Sequence, residues 1–403
     1  MLKLALRNIL RHIVRTAMTL AVIIFGVASL ILSGGFVEDM FFQLGESIIR
    51  SQSGHLQVQK AGFFARGGRS PHQYLIDQPD ALREAIAQLP QIDDAMLRMS
   101  FSGLLSNGRS DWPIMGEGIE PDKEARLGTH LRITAGRQLV STDTNGILLG
   151  DGVARTLKLK PADTVTLLVT TAEGALNTRE LEVVGIFQSF SKEFDARAVR
   201  IPLAAAQELV SSPSANTVVI ALKNTPDTES VAASLQARLD GNVLEVKTWQ
   251  ELNDFYANTV ALYERQFGVL QGIILVMVLL SVGNSVNMSV FERIGEFGTM
   301  MALGNNRLQI FKLVVIENLV LGTIGAFAGV VVGTALALAI SAIGIPMPPP
   351  PNANIGYTAL IRVVPSVLLL AFFVGLLATV AAALFPASRV ARTPVAEALR
   401  QNY

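Results

Sequence analysis

Four apolar runs bounded by charge decide what this chain can fold into. Thr16 to Val37 is free of charge between Arg15 and Glu38, and the next run lies between Arg265 and Glu292. Asn318 to Ile345 and Val363 to Phe385 complete the set. Each reaches the roughly 20 residues a helix needs to cross a bilayer core. A single Arg at the centre of a span costs about 2.5–3.5 kcal/mol on the insertion scale, so runs this clean carry a strong signal. Half of the 403 residues are hydrophobic, too apolar for one soluble domain. The expected fold class is an integral membrane α-helical protein with four transmembrane helices. A large extracytoplasmic α+β domain is inserted between helices 1 and 2.

The expected segments follow from those runs. Residues 1–15 form an amphipathic surface helix, with Lys3, Arg7 and Arg11 repeating on one side. The spans are 16–37, 266–290, 318–345 and 363–385. Residues 38–265 hold the outer domain and its stalks, 291–317 a charged strip, 346–362 a Pro-rich loop and 386–403 a tail. Basic residues set the orientation. Lys3, Arg7, Arg11 and Arg15 precede span one, Arg293, Arg307 and Lys312 lie in the strip, and Arg389, Arg392 and Arg400 follow span four. Both termini and the strip are therefore expected on the cytoplasmic side. A cleaved signal peptide is the rival reading of span one, but the run is long for one and no clear A-x-A site follows.

The strip, FERIGEFGTMMALGNNRLQIFKLVVIE, carries its own helix punctuation. Gly304 supplies a helix stop, and Asn306 with Gln309 makes a capping box for the next helix. Phe291, Ile294, Gly298 and Met301 share one face and Glu292 and Glu296 another. A plain connection needs only a few residues. A short helix lying flat at the membrane surface suits a docking element for a partner. The bland alternative is a solvated loop.

Span one is expected to continue outward as a stalk through Phe36, Met40, Leu44 and Ile48. A second stalk returns from Thr248, with Glu251 as its capping-box partner, along Leu252, Phe255, Tyr256, Val260, Tyr263 and Phe267. Between them, strand and helix signals alternate. Strands are expected near 53–59, 95–106, 112–119, 164–169, 180–187, 197–201, 216–222 and 243–248, with helices at 79–89, 150–159, 202–210 and 228–239. That order favours two small α+β lobes. In span three, Gly325, Gly329 and Gly333 recur every four residues, a spacing that lets helix backbones approach for packing or dimerisation. Asn284 and Asn287 of span two read as interhelical hydrogen-bond donors rather than as a substrate site. GFFARGGRS (62–70) reads as a surface loop.

Catalytic motifs are missing. The chain has no G-x-x-x-x-G-K-[ST] phosphate loop, so it is not expected to hydrolyse ATP. It has no cysteine, and its four histidines lack metal-ligand spacing. Net charge is zero, which gives no hint of a nucleic-acid partner.

The order of these features resembles a known group. Glu292, Arg293, Gly295, Glu296, Ala302, Leu303, Gly304, Gln309 and Glu317 follow the pattern between the second and third spans of FtsX-like permeases, which include macrolide-efflux and lipoprotein-releasing ABC transporters. PASRVARTPVAEALR (386–400) is similar to their ending. ILLGDGVARTLKLKPADTVTLL, LEVVGIF and FDARAVRIPLAAAQEL resemble the MacB-like outer domain of the lipoprotein-releasing branch. The resemblance implies a permease of the bacterial inner membrane that dimerises with a second copy or a sister permease. A separate cytoplasmic ABC ATPase dimer would bind the strip through Glu292, Arg293, Glu296, Met300 and Leu303, using ATP and Mg there. This chain would carry no cofactor and be no enzyme. The output would be mechanotransmission, moving a lipoprotein or related lipophilic cargo from the outer leaflet, with a periplasmic lipoprotein carrier as a further partner. Signalling to a periplasmic cell-wall hydrolase is the alternative within the family, and a membrane-anchored receptor the alternative outside it. The hairpin tip Thr170–Thr178 is short for the chaperone-docking permease. Cargo entry is placed near Met40, Phe41, Phe255 and Phe267.

Overall fold

The computed structural model describes residues 7, 13–67, 70–171, 173–349, 353–354 and 356–394; the side chains of Arg15 and Phe255 are not among them. The surface helix expected over 1–15, the tail helix after Pro394 and the centre of the Pro-rich loop thus lie largely outside the described residues. The chain divides into two compact units. One comprises Met1–Phe42, Val260–Pro346 and Thr358–Tyr403, and the other Gln43–Thr259 and Met347–Tyr357.

Four described helices are long and apolar enough to cross a membrane. They are Ile13–Ile48 (span one), Asp254–Glu292 (span two), Arg307–Ile343 (span three) and Pro365–Arg392 (span four). Spans one and two overrun their apolar stretches, as the continuing stripes predict. The second stalk starts later than expected. Thr248 and Glu251 do exchange capping bonds, Thr248 N–H to Oε2 at 2.9 Å and Glu251 N–H to Oγ1 at 3.3 Å, but they close a turn ahead of the helix at Asp254.

In the membrane unit the glycine row of span three packs against span one of the same chain. A Cβ on Gly325 would lie 2.9 Å from Ile23, one on Gly329 2.7 Å from Val27, and one on Gly333 3.0 Å from the backbone of Ala28. No larger residue permits that approach. Asn284 is exposed, and the interhelical bond beside it joins Thr19 to Ser285 instead.

The outer unit is built on one mixed sheet. Its strands are β1 (Leu56–Lys60), β2 (Ile92–Ser106), β3 (Asp111–Ile119), β4 (Arg132–Gly136), β5 (Gly146–Gly150), β6 (Thr164–Thr170), β7 (Leu176–Gln188), β8 (Ala198–Pro202), β9 (Thr217–Leu222) and β10 (Leu244–Thr248). The order is β10-β1-β9-β2-β3-β8-β5-β7-β4, with β6 paired to β2 and β7. Among the described residues, only β3–β8 and β5–β7 are parallel. The expected two lobes are therefore two cores on one sheet. One core gathers Val153, Leu157, Ala206 and Leu209 with Met99, Leu149, Leu167 and Val183. The other gathers Ile86, Val231 and Leu235 with Leu56, Val58, Val218 and Ile220. Strand β2 unites them, because its 15 residues pair with β9 over the first half and with β3 and β6 over the second.

Candidate functional site

The strip folds as its punctuation dictates. Span two ends at Glu292, and a short helix runs Ile294–Ala302. Gly304 turns the chain at φ +100°, and Asn306 opens span three with the full reciprocal capping box to Gln309. Ile294, Gly295, Phe297 and Gly298 form the buried face of the short helix. Leu303 is 82% exposed, Glu292 is exposed, and Glu296 and Met300 are half-buried.

Arg293 departs from the expected docking set, being only 4% exposed. Its Nη1 donates to both oxygens of Glu317 at 2.8 and 2.9 Å, and its Nε to Glu296 at 3.2 Å. Its guanidinium lies 5.0 Å from the centre of the Phe297 ring. Arg293 is thus an internal strut joining the strip to span three. Of the expected docking set, Glu292, Glu296, Met300 and Leu303 keep exposed surface. The sequence placed Arg293 and Glu317 in one pattern without indicating that they touch.

At the expected cargo entry, Phe267 lies 6.3 Å from Phe36 and 6.4 Å from Tyr263, ring to ring. Met40 and Phe41 are half-buried on span one. The neighbouring Asp39 is buried and accepts from the Leu360 N–H at 2.8 Å and from Arg362 Nε at 3.4 Å. That pair fastens the chain entering span four to the outer end of span one.

Within the outer unit, a junction unseen in the sequence gathers four chain segments. Leu44, Ile48 and Ile49 of the first stalk pack with Phe190, Trp249 and Ala353. Asn354, from the loop between spans three and four, donates its N–H to Phe190 O at 3.1 Å and its side-chain amide to Asp195. Asp195 also accepts the Ser189 N–H at 3.0 Å. Burial pushes the Asp195 carboxyl up to about 6 despite those donors.

Beside the junction, His55 is 2% exposed. Its Nδ1 accepts from the Leu222 N–H at 3.1 Å, which assigns the proton to Nε2, 3.2 Å from Thr225 Oγ1. Burial pushes its pKa down to about 4. The unfolded chain, with histidine near 6.5, therefore binds the proton first as pH falls. The stability that neutral His55 gives is complete above about pH 6.5 and drains away towards pH 4, by at most about 3 kcal/mol. Unfolding midpoints across that window should fall more steeply for the natural chain than for His55→Gln; parallel slopes would rule His55 out as the titrating group.

Comparison with known proteins fits this architecture. The MacB-like periplasmic core domain matches residues 16–238, and the FtsX-like permease C-terminal region matches residues 268–395. The chain belongs to the FtsX-like permeases of ABC transporters, with a MacB-like periplasmic core. Among its relatives, the lipoprotein-releasing system transmembrane protein LolE of Haemophilus influenzae is 23% identical, covering 82% of this chain and 85% of the relative. LolC of Xylella fastidiosa is 25% identical over 74% of this chain and 76% of its own. The macrolide export ATP-binding/permease protein MacB of Campylobacter jejuni is 23% identical over 82% of this chain, which spans about half (52%) of that relative. The periplasmic region of MacB from Actinobacillus actinomycetemcomitans aligns with 52% of this chain and 96% of its own at 14% identity, with a TM-score of 0.37. An FtsX-like permease of this layout is a multi-pass membrane protein with its large domain in the periplasm. Its hairpin between β6 and β7 stays paired out to Thr170 and Leu176, so the tip is shorter still than the sequence suggested.

Proposed function

We propose that this permease is the unpowered membrane half of an ABC machine in the bacterial inner membrane, with both termini cytoplasmic. A separate ATPase dimer, using ATP and Mg, docks on the strip, and the outer domain acts on a lipoprotein or a related lipophilic cargo. A second permease, identical or a sister, completes the assembly. The observation that carries this reading is the strip's division of labour: Arg293 is locked to Glu317 inside, while Leu303 stands out with Glu292 beside the same short helix. A braced helix with an exposed rim can receive a push without yielding.

Affinity purification of the full chain from membranes should recover a small ATPase. Changing Glu296→Lys and Leu303→Asp together should cut that recovery at least about tenfold, since a reversed charge and a buried carboxylate each oppose docking. Undiminished recovery would remove the strip from the coupling role. The short β6–β7 tip favours keeping a second reading, in which the outer domain signals mechanically to a periplasmic enzyme and no cargo moves. ATP-driven release of a labelled lipoprotein from reconstituted vesicles decides for the first.

A further inference from the structure

The span-one stalk does not end in solvent. After Ile48 its helix loosens into one π-helical turn, Ile49–Ser53. Two buried arginines of the sheet take the carbonyls of that turn. Arg200 Nη2 donates to Ser51 O at 3.3 Å, and Arg98 Nη1 donates to Gln52 O. Both arginines are 3% exposed. Arg98 lies on β2 and Arg200 on β8, on either side of β3.

Each arginine is itself held. Glu124 takes Arg98 through both Nε and Nη2, the latter at 2.7 Å. Glu117, directly opposite Arg200 in the β3–β8 register, accepts from its Nε at 2.9 Å and lies 3.8 Å from Arg98 Nη1. The Arg200 guanidinium also lies 5.5 Å from the centre of the Phe187 ring. Burial alone would push the Glu124 carboxyl up, but the charge and hydrogen bonds of Arg98, with Arg200 behind it, hold it below the usual carboxylate range. A helix C-terminus carries partial negative charge on its last carbonyls, so guanidinium donors suit it.

Such a cluster is an unpromising way to add stability. Buried ion pairs of this kind are often matched or bettered by apolar packing. They do fix geometry, because a guanidinium fork sets both distance and direction, whereas apolar surfaces can slide. Apolar packing is already present next door, in the cluster around Trp249.

We infer that Arg98 and Arg200 are positioning residues that lock the end of the span-one stalk to the centre of the sheet, so that stalk and sheet move as one body. The use of that lock rests on the mechanotransmission reading above, but the lock itself can be tested without it.

The chain has no cysteine, so introduced labels have no background. Nitroxides at Ser47→Cys on the stalk and Asp122→Cys on the exposed side of Pro121–Leu127 would be read by pulsed dipolar spectroscopy on the full chain in nanodiscs. The natural arginines should give one narrow distance distribution. Arg98→Lys with Arg200→Lys keeps both charges but cannot reach carboxylate and carbonyl together, and should at least double the width. A width unchanged in the double variant would overturn the lock. If the double variant fails to fold, Arg200→Lys alone, which keeps the Arg98–Glu124 pair, should broaden the distribution by a smaller amount; the natural width there overturns the proposal equally. A broadening at an unchanged thermal midpoint separates positioning from mere stability. Adding the ATPase and ATP to the natural chain is a separate measurement: an outer domain that does not respond would sink the mechanotransmission reading and leave the lock standing.

Discussion

Glu317→Leu should destabilise the membrane unit by about 3–5 kcal/mol, because it strands a buried guanidinium. Arg293 gives Glu317 two hydrogen bonds from one nitrogen and, among the described residues, has only Glu296, itself partly exposed, as a second carboxylate partner. Its Nη2 is buried without a protein partner among the described residues, and Arg293 lines a cavity of about 30 Å³ with Thr16, Ser285, Ser289 and Asn318. That space suits about one water bonded to polar groups. Arg293→Met alone should cost a similar amount by leaving the Glu317 carboxylate inside. The double change Arg293→Met/Glu317→Leu should recover most of the loss, since two apolar side chains need no partner. Denaturant midpoints of the detergent-solubilised chain measure the cycle. A double variant as damaged as the sum of the singles would show that the two residues act independently. The recovered variant should still bind the ATPase less well, because its strip is held by packing alone.

Trp249→Ala is expected to cost the outer unit about 3–5 kcal/mol. The indole is 4% exposed and meets the Tyr256 ring edge-on, with 4.5 Å between ring centres. Gly45 makes room for it on the stalk, where a Cβ would come within 2.7 Å of the indole. Truncation leaves a void bounded by Leu44, Ile48, Phe190 and Ala353, contributed by three separate stretches of chain that cannot all close in. Trp249→Phe should cost much less, since the indole N–H has no hydrogen-bond partner among the described residues to lose. Urea unfolding followed by circular dichroism compares the two; an alanine variant within about 1 kcal/mol of the natural chain would mean that the junction is not a packed core.

Most of the outer strands were readable from alternation, and the misses have physical causes. β5 is three apolar residues between two glycines with only one β-branched residue among them, a weaker strand signal than the equally buried β8 and β9. The helix Pro121–Leu127 is short and charged, and it forms because Leu127 and Glu124 turn inward, Glu124 towards Arg98. Strand β4 is five residues of mixed polarity that, among the described residues, pairs only with β7.

The sequence by itself determined the four spans, the extension of spans one and two beyond their apolar runs, and the stop and capping box of the strip. These depend on length, periodicity and residues within a turn of each other. It also carried the glycine row, although only packing showed that span one fills it. The tertiary structure alone decided which charges lie inside. Glu292 and Arg293 are neighbours in the same strip, yet one is exposed and the other is 4% exposed, because Arg293 meets a carboxylate 24 residues away. Arg98, Glu117, Glu124 and Arg200 look in sequence like ordinary surface charges, and become an anchor only when three strands and the end of a helix converge. Burial of a charge is set by its distant partners, and local pattern holds no record of them.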